Sequence, residues 1–517
     1  MVATLAALLI VLLGPPAAAA TSCRASCAAR MAACRAERCP DAVGKDRGSC
    51  RDACRAVTGC AAGAARIGTI AAVVNECHST GGHWTARQRL EIRHGDCPPV
   101  TAISVDANEA APDPLSWCRV YGVTRDGGAA MAWGNIQGFA VSPGGDTVIY
   151  QVTDDFIGTL KILGSPIASP RAQLTEEGIY RVRADGTRRE YLGPQLRVPS
   201  FRVIGGETGF PSDREVETFS FSPDGKSIVF VDLGPGEDGP EAPQIFRLDL
   251  AKPDVRHQLT TLRTSQVGRN PGGLDVAAVF LDDGRVGGAY YDAGLGSFLF
   301  FTIRRNGGGY ASLDPPASIG GTLITDFQLA GLTTDLVIFQ LNRMTDMPPP
   351  GGPIREVFIH YRANALQLTN FRRSDTIFAQ RLRDRNHVVV GASADPVGRN
   401  PRNACQLFTL DALGGHLRQI TSFGEHTRPS GRCQGGDPPP SCTALLALGG
   451  EDPRTGTVVF DSTCDEFGVS PVSDQLFAVR PDGSGFRQLT AYRGVVEQDG
   501  MVTVELPGPI ASPNQRP

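Results

Sequence analysis

The sequence lacks the motifs of the common metal, nucleotide and serine-hydrolase sites. Its cysteines never form a C-x2-C pair, the usual unit of zinc clusters. It has no His-Glu-x-x-His helix and no phosphate loop ending in Gly-Lys-Ser/Thr. It also has no Gly-x-Ser-x-Gly nucleophile elbow. These absences predict no metal, no cofactor and no catalytic residue.

Long hydrophobic runs are missing after the first twenty residues. Residues 1–20 carry no charge and contain an apolar stretch, a Gly-Pro-Pro break and a run of alanines. This pattern predicts a signal peptide cleaved near Ala20, since the stretch is too short to cross a membrane. A lipoprotein anchored at Cys23 is the alternative. The sequence therefore predicts an exported protein, periplasmic or secreted, without a transmembrane segment.

Charge of either sign is scarce, and lysine is nearly absent. The 517 residues have a net charge of -4, and 20% of them are charged. This balance gives no reason to expect a nucleic-acid partner. Hydrophobic residues make up 41%, enough for a large core, and 61 glycines with 38 prolines favour a turn-rich β protein.

Cysteine, by contrast, is plentiful. The chain has 14 cysteines, an even number, and in an exported protein these predict disulfides. Cys23 with Cys27 and Cys50 with Cys54 are both C-x3-C pairs, which lie on one face of a helix. Two such helices facing each other predict the bonds Cys23–Cys54 and Cys27–Cys50. The spacing resembles the α-hairpinin pattern of two stapled antiparallel helices, although three further cysteines depart from it.

The cysteine-rich segment is also basic. Residues 21–66 contain nine basic and four acidic residues. A solvated polar helix face explains this surplus, and contact with an acidic surface such as lipid headgroups or anionic glycan is the alternative.

A repeat begins near residue 136. Its clearest copy is Phe219–Val231 (FSFSPDGKSIVFV), in which two strands flank a Pro-Asp-Gly turn. The strands Gln244–Leu250 and His257–Thr260 complete a four-stranded unit. The chain contains six copies in total, at a period of about 50 to 70 residues, and such repetition of a four-stranded unit indicates a β-propeller.

The motifs FSPDGKSIVF, QIFRLDL, HQLT and RPDGSGFRQLT resemble the repeat of TolB-type, WD-like propellers. The resemblance covers about 360 residues and implies a six-bladed propeller that serves as a binding platform, often in the bacterial periplasm. It implies no catalytic residue. Residues 502–506 read as one more strand, which completes a blade with the first copy or packs against the rim. A seventh blade that includes residues 68–125 is an alternative.

The strand order separates a tight-turn end from a long-loop end. Loops after the first and third strands of each copy are short, whereas those after the second and fourth hold every long insertion. The long loops are Thr153–Glu177, Gly193–Glu215, Leu233–Pro243, Arg343–Ile354, Ala392–Asn403, Phe423–Ser441 and Ser462–Asp474. Long ordered loops on a rigid scaffold usually carry binding sites. Four cysteines lie at this end, and the preferred pairing is Cys442–Cys464 with Cys405–Cys433.

The sequence thus predicts an all-β chain with a six-bladed propeller of four-stranded antiparallel blades, preceded by a small disulfide-rich helical hairpin. The predicted segments are a signal peptide at 1–20, the hairpin at 21–66, a connecting segment with short strands at 67–135, the propeller at 136–493, and a C-terminal strand and tail at 494–517. The main functional prediction is an exported, monomeric, non-catalytic platform that binds a protein or envelope component. The alternatives are a hydrolase or lyase with a site at the propeller channel, and a structural envelope protein anchored by the basic hairpin.

Overall fold

The computed structural model is mainly β. It describes residues 27–38, 45–58, 60, 63–80, 83–95, 97, 99–107, 136–152, 177–197, 219–263, 276–292, 297–313, 318–319, 322–332, 336–343, 354–361, 364–372, 378–382, 387–424, 428–429, 441–442, 448–452, 455–467, 475–492, 494–498 and 501–511. Among these residues no helix has the length and apolar character needed to span a membrane.

Two helices precede the sheets. Helix α1 is Cys27–Arg38 and α2 is Lys45–Thr58. A disulfide joins Cys34 to Cys54, and the Thr58 hydroxyl lies 3.4 Å from the Met31 sulfur, so the helices run antiparallel. The predicted Cys23–Cys54 bond is therefore wrong: Cys34, one turn beyond Met31 on the same helix face, occupies that position. Cys23 lies outside the described residues.

Six sheets follow the repeat in chain order. Three strands come before these sheets in the chain: β1 (Thr69–Thr80), β2 (His83–His94) and β3 (Val100–Ala107). Sheet 1 contains β4 (Ile136–Val141), β5 (Thr147–Val152), β6 (Gly178–Arg183) and β7 (Glu190–Gly193). Sheet 2 contains β8 (Ser220–Phe221), β9 (Ser227–Pro235), β10 (Glu241–Asp249) and β11 (Arg256–Gln258). Sheet 3 contains β12 (Val276–Phe280), β13 (Val286–Asp292), β14 (Ser297–Ile303) and β15 (Ala311–Ser312).

The second half continues in the same way. Sheet 4 contains β16 (Ser318–Ile319), β17 (Thr322–Leu332), β18 (Leu336–Arg343), β19 (Ile354–Tyr361) and β20 (Asn364–Gln367). Sheet 5 contains β21 (Phe378–Arg381), β22 (His387–Ala392), β23 (Gln406–Asp411) and β24 (Arg418–Gln419). A short parallel pair joins β25 (Arg428–Pro429) to β26 (Ser441–Cys442). Sheet 6 contains β27 (Leu448–Asp452), β28 (Thr457–Ser462), β29 (Gln475–Val479) and β30 (Arg487–Gln488). Within each of the six sheets neighbouring strands are antiparallel, as the repeat predicts.

Strands from both ends of the chain form one further sheet, here called the composite sheet. Its order is β3-β2-β1-β32-β31, with β31 at Gly494–Gln498 and β32 at Met501–Ala511. Strand β32 pairs antiparallel with β1, so that Asn75 lies opposite Leu506. The expected strand at 502–506 thus joins residues 69–80 rather than the first repeat copy. Strands β1 and β2 have 12 residues each, longer than the short strands expected for this segment.

The composite sheet packs between sheet 6 and sheet 1. Val73 and Leu90 share a core with Tyr150 of sheet 1. On the other side, Ala72 shares a core with Val459 and Ala478 of sheet 6. Apolar cores of the same kind join sheets 1 and 2, 2 and 3, 4 and 5, and 5 and 6. Each fully buried Phe or Leu in these cores contributes about 1.5–3 kcal/mol.

A polar motif repeats in the strand before the last one in four sheets. In sheet 6, the Oε1 atom of Gln475 accepts hydrogen bonds from the Thr490 hydroxyl at 2.8 Å and from the Tyr492 amide at 3.0 Å. Gln244 and Gln406 make the same pair of bonds, and Glu356 replaces glutamine in sheet 4. These bonds satisfy buried backbone groups where the last strand ends.

Side chains of one sheet also bind the turns of the next at the tight-turn end. Arg181 of sheet 1 donates to the Leu250 carbonyl at 2.9 Å, and Arg247 of sheet 2 donates to the Arg305 carbonyl at 2.7 Å. The Thr409 hydroxyl of sheet 5 donates to the Pro481 carbonyl at 2.8 Å. These bonds, together with the apolar cores, fix neighbouring sheets against each other.

Candidate functional site

The long-loop end is described best at sheets 5 and 6. Of the seven loops predicted there, the structure describes Leu233–Pro243 and Ala392–Asn403 in full. The first is not a loop: β9 and β10 continue to Pro235 and Glu241. Gly234 allows β9 to continue past Leu233, because a Cβ atom at this position would lie 2.7 Å from the Phe246 ring. Only residues 236–240 form the turn.

The buried side-chain amide of Asn400 orders the loop after β22. The Asn400 side chain donates to the carbonyls of Ala394 and Ala404 at 2.8 and 2.6 Å, and its Oδ1 atom accepts from the Ala404 amide at 3.1 Å. The Asn400 backbone amide donates to Asp395 at 2.7 Å. Asn400 therefore closes the loop onto the end of sheet 5, where Cys405 follows as a disulfide-bonded cysteine.

The loop after β28 is held by a disulfide. Cys442 bonds to Cys464, which is the pairing that the sequence favoured. Both cysteines are buried in the core shared by sheets 5 and 6. The Cys464 amide donates to the Ser462 hydroxyl at 3.0 Å, which fixes the first turn of the loop.

Three carboxylates lie within six residues at this point. Asp461 lies near the end of β28, and Asp465 and Glu466 follow the disulfide; their exposed fractions are 5%, 3% and 8%. Glu466 accepts a hydrogen bond from the Gly424 amide at 2.9 Å and so connects sheet 6 to the end of sheet 5. Carboxylates are seldom this deeply buried, and these three lie at the end of the sheets where the sequence predicts the binding site. We refer to Asp461, Asp465 and Glu466, which are neighbours in the sequence, as the carboxylate cluster.

An aromatic group packs behind the carboxylate cluster. Phe467 lies next to Phe486 at a centroid distance of 5.6 Å, and Phe423 lies edge-on to Phe477 at 5.6 Å. Phe460 of β28 stacks on Phe477 at 5.7 Å. The described start of the loop, residues 463–467, is therefore fixed by a disulfide, a backbone hydrogen bond and a packed ring, as a preorganised site requires.

A second charged group lies at the same end, between sheets 1 and 2. Arg256 donates to Asp232 at 2.8 Å and to the Pro194 carbonyl. The Asp232 carboxylate also accepts from the Arg197 amide at 2.8 Å. Burial lowers the pKa of the Arg256 guanidinium, and the charge of Asp232 opposes that shift. Each strong hydrogen-bonding group here already has a protein partner, so this group joins the two sheets.

The sequence predictions named cysteines at this end, not carboxylates. Among the described residues no three His, Cys, Asp or Glu side chains are arranged to hold a metal ion. Cys50 of α2 is disulfide-bonded, whereas Cys433 lies outside the described residues and the Cys27 side chain is not described. The sequence signal for the carboxylate cluster is the run at 461–466, in which three of six residues are acidic.

No protein-family model matches the chain, and no curated protein matches it. Solved structures do. A prolyl endopeptidase structure is 11% identical over 80% of this chain and 50% of that chain, with a TM-score of 0.43. An oligogalacturonate lyase in complex with manganese is 10% identical over 80% of this chain and 98% of that chain, with a TM-score of 0.41. The tricorn protease is 11% identical over 70% of this chain and 27% of that chain, with a TM-score of 0.34.

These similar structures are enzymes that contain propeller domains. The chain spans half of the prolyl endopeptidase and about a quarter of the tricorn protease. With TM-scores below 0.5 the likenesses transfer no residue role, substrate or reaction. The main prediction of a non-catalytic binding platform disagrees with these neighbours, which are peptidases and a lyase.

Proposed function

We propose that the chain is a hydrolase or lyase whose reaction takes place at the long-loop end of sheets 5 and 6. The observation that carries this proposal is the carboxylate cluster: Asp461 near the end of β28 and two further buried acids on the loop that the Cys442–Cys464 bond holds. Hydrolysis and elimination both need a base that removes a proton and an acid that protonates the leaving group. Neighbouring carboxylates in different surroundings can divide these two tasks.

We propose different parts for the three acids. Glu466 accepts the Gly424 amide and is a positioning residue, since this bond fixes the loop against sheet 5. Asp461 and Asp465 are the candidate base and acid. Asp461 occupies the same strand face as Val459, two residues earlier, and that face packs toward the composite sheet. Asp465 follows the disulfide directly, where the bond restricts its backbone.

The proposed frame for this site is a propeller ring. Six cores join successive sheets in the order 4, 5, 6, composite, 1, 2 and 3. Contact between sheets 3 and 4 would close the ring with seven blades, the composite sheet being the seventh, rather than the six implied by the resemblance. We further propose that the protein is exported, which the Cys34–Cys54 and Cys442–Cys464 bonds support.

Activity measurements on the oxidised chain test the proposed reaction. Peptide and ester substrates are assayed by product release, and uronate polysaccharides by the ultraviolet absorbance of the unsaturated product. We expect turnover of one class, with Asp461→Asn and Asp465→Asn each reducing kcat about 100-fold or more. The matched control is Asp283→Asn, an exposed turn aspartate at the opposite end.

Circular dichroism and urea unfolding accompany each variant, so that a loss of fold is not read as a loss of catalysis. The Glu466→Gln variant keeps the acceptor for the Gly424 amide and is expected to change activity less than the two aspartate variants. The proposal is overturned if the wild-type chain turns over none of the substrates, or if the aspartate variants are as active as Asp283→Asn.

A further inference from the structure

A row of arginines lies along one face of α2. Arg47, Arg51 and Arg55 are spaced four residues apart, and all three are exposed. On a helix, residues four apart lie about one turn above each other on one face. Cys54, which is buried against Met31 and Cys34 of α1, follows Arg51 by three residues and Arg47 by seven, so the arginine row borders the packed face of α2. The three guanidinium groups therefore remain exposed along the edge of the contact between α1 and α2.

The charge of this region differs in sign from that of the whole chain. Residues 21–66 have nine basic and four acidic residues, whereas the whole chain has a net charge of -4. Asp52 pairs with Arg55 at 2.9 Å and lies 4.0 Å from Arg51. One carboxylate shared by two arginines leaves the row cationic, and an exposed pair of this kind contributes little energy by itself.

The row is held in a fixed place on the protein. The Cys34–Cys54 bond locks α2 onto α1. After α2, the Ala65 amide donates to the Gly485 carbonyl at 2.8 Å, and Arg480 donates to the carbonyls of Gly63 and Ala64 at 3.0 and 3.1 Å. The segment after the hairpin is therefore bonded to the last turn of sheet 6. Binding of a ligand to the arginine row would therefore not require a flexible segment to become ordered.

The exposed side chains select the kind of ligand. Across the described residues of α1 and α2, no large hydrophobic side chain is exposed. Helices that lie on membranes need an apolar face to enter the lipid, so a bilayer is disfavoured. Arginine forks bind carboxylates and sulfates through paired hydrogen bonds. We propose that the row of Arg47, Arg51 and Arg55 binds a linear anionic polysaccharide.

Binding to immobilised alginate, a carboxylated polysaccharide, tests this proposal with the full oxidised chain. Neutral dextran and vesicles with phosphatidylglycerol are the comparison surfaces. The test variant is Arg47→Gln/Arg51→Gln/Arg55→Gln. Its matched control is Lys226→Gln/Lys252→Gln/Arg305→Gln, which removes the same charge from exposed positions of sheets 2 and 3. Glutamine retains helix propensity, so the helix is preserved.

We expect the wild-type chain and the control to bind alginate at low salt and to release it as salt screens the charges. The row variant should bind at least about tenfold more weakly, because three guanidinium contacts to the polysaccharide carboxylates are lost. Equal binding by the row variant and the control overturns the proposal. So does binding to the anionic vesicles but not to alginate, which would assign the row to lipid headgroups. The readout is binding alone, so the result is independent of any catalytic activity.

Discussion

The Tyr492 hydroxyl donates a hydrogen bond to the Glu91 carboxylate at 2.9 Å, across 401 residues of sequence. Glu91 lies on β2 of the composite sheet, and Tyr492 follows the last strand of sheet 6. Arg89 and Arg93 also bind the same buried carboxylate, at 2.9 and 3.2 Å. Strand β2 and the segment after sheet 6 therefore meet in one buried polar network, which couples the composite sheet to the repeat.

Replacing Tyr492 by phenylalanine tests how much this network stabilises the protein. Tyr492→Phe removes one donor from the buried carboxylate and keeps the ring that packs beneath Arg93. We expect the free energy of unfolding to fall by about 1–3 kcal/mol, because a buried acceptor loses a partner. Urea unfolding followed by tryptophan fluorescence measures the change. Tyr310→Phe, at an exposed tyrosine, should change stability by less than about 0.5 kcal/mol.

The same tyrosine predicts a stability change at high pH. Burial raises the pKa of the Tyr492 phenol, and the neighbouring Glu91 carboxylate adds to the rise, while Arg93 opposes it. A group with a raised folded-state pKa stabilises the protein as long as it stays protonated. That contribution is complete below the unfolded-state pKa of about 10 and is lost as the pH rises further.

We therefore expect the stability of the wild-type chain to fall more steeply above pH of about 10 than that of Tyr492→Phe. Urea unfolding of the wild-type chain and of Tyr492→Phe is compared from neutral to alkaline pH. The difference between the two removes the contribution that the other tyrosines and the lysines make to the pH dependence of stability. Parallel curves for the two proteins would contradict the predicted shift.

Removing the Cys442–Cys464 bond should destabilise the sheet 5 and sheet 6 region. The bond spans 22 residues, and in the chain-entropy model it stabilises the fold by about 3 kcal/mol. We expect Cys442→Ser/Cys464→Ser to lower the midpoint of thermal unfolding and to expose the loop after β28 to proteases. In Cys34→Ser/Cys54→Ser the loss should be confined to the helices. A double variant at 442 and 464 that unfolds like the wild type would show that packing alone holds the loop.

The sheets of the repeat could be predicted because their signals are local. Ser-Pro-Asp-Gly turns act within a few residues: the Ser222 hydroxyl donates to Asp224 at 2.6 Å and accepts the Ser227 amide at 2.9 Å. Gln475 and Thr490 repeat at similar spacing in sheets 2 and 5. Alternation of buried and exposed residues then fixes which strand face enters a core.

The composite sheet and the helix register could not be predicted in this way. The pairing of Asn75 with Leu506 has no local sequence signal, because either strand alone could pair with many other strands. In the helices, C-x3-C spacing identified one face but not the register of one helix on the other. Met31 lies against Thr58, and this contact places Cys54 opposite Cys34.

The carboxylate cluster was missed for a related reason. Acidic residues near a strand end usually face water, and nothing in the sequence shows that Asp465 and Glu466 are covered. Their burial depends on Cys464, which ties the loop to Cys442, and on Gly424 at the end of sheet 5. Only the packed structure brings these long-range partners together.

Two glycines with the same backbone angle test the attachment of the helical segment. Gly485 and Gly398 both have φ of 71°, so an alanine at either position is strained. A Cβ atom at Gly398 would meet nothing within 4 Å, whereas at Gly485 it would lie 2.6 Å from the Ala65 amide and 2.8 Å from the Gly63 carbonyl. Gly398→Ala should therefore cost about 1–2 kcal/mol, the strain alone. Gly485→Ala should cost more, because the Ala65–Gly485 hydrogen bond must also break. Hydrogen exchange of the Ala65 amide reports that break directly: faster exchange in Gly485→Ala but not in Gly398→Ala is expected, and equal protection in both would place the attachment elsewhere.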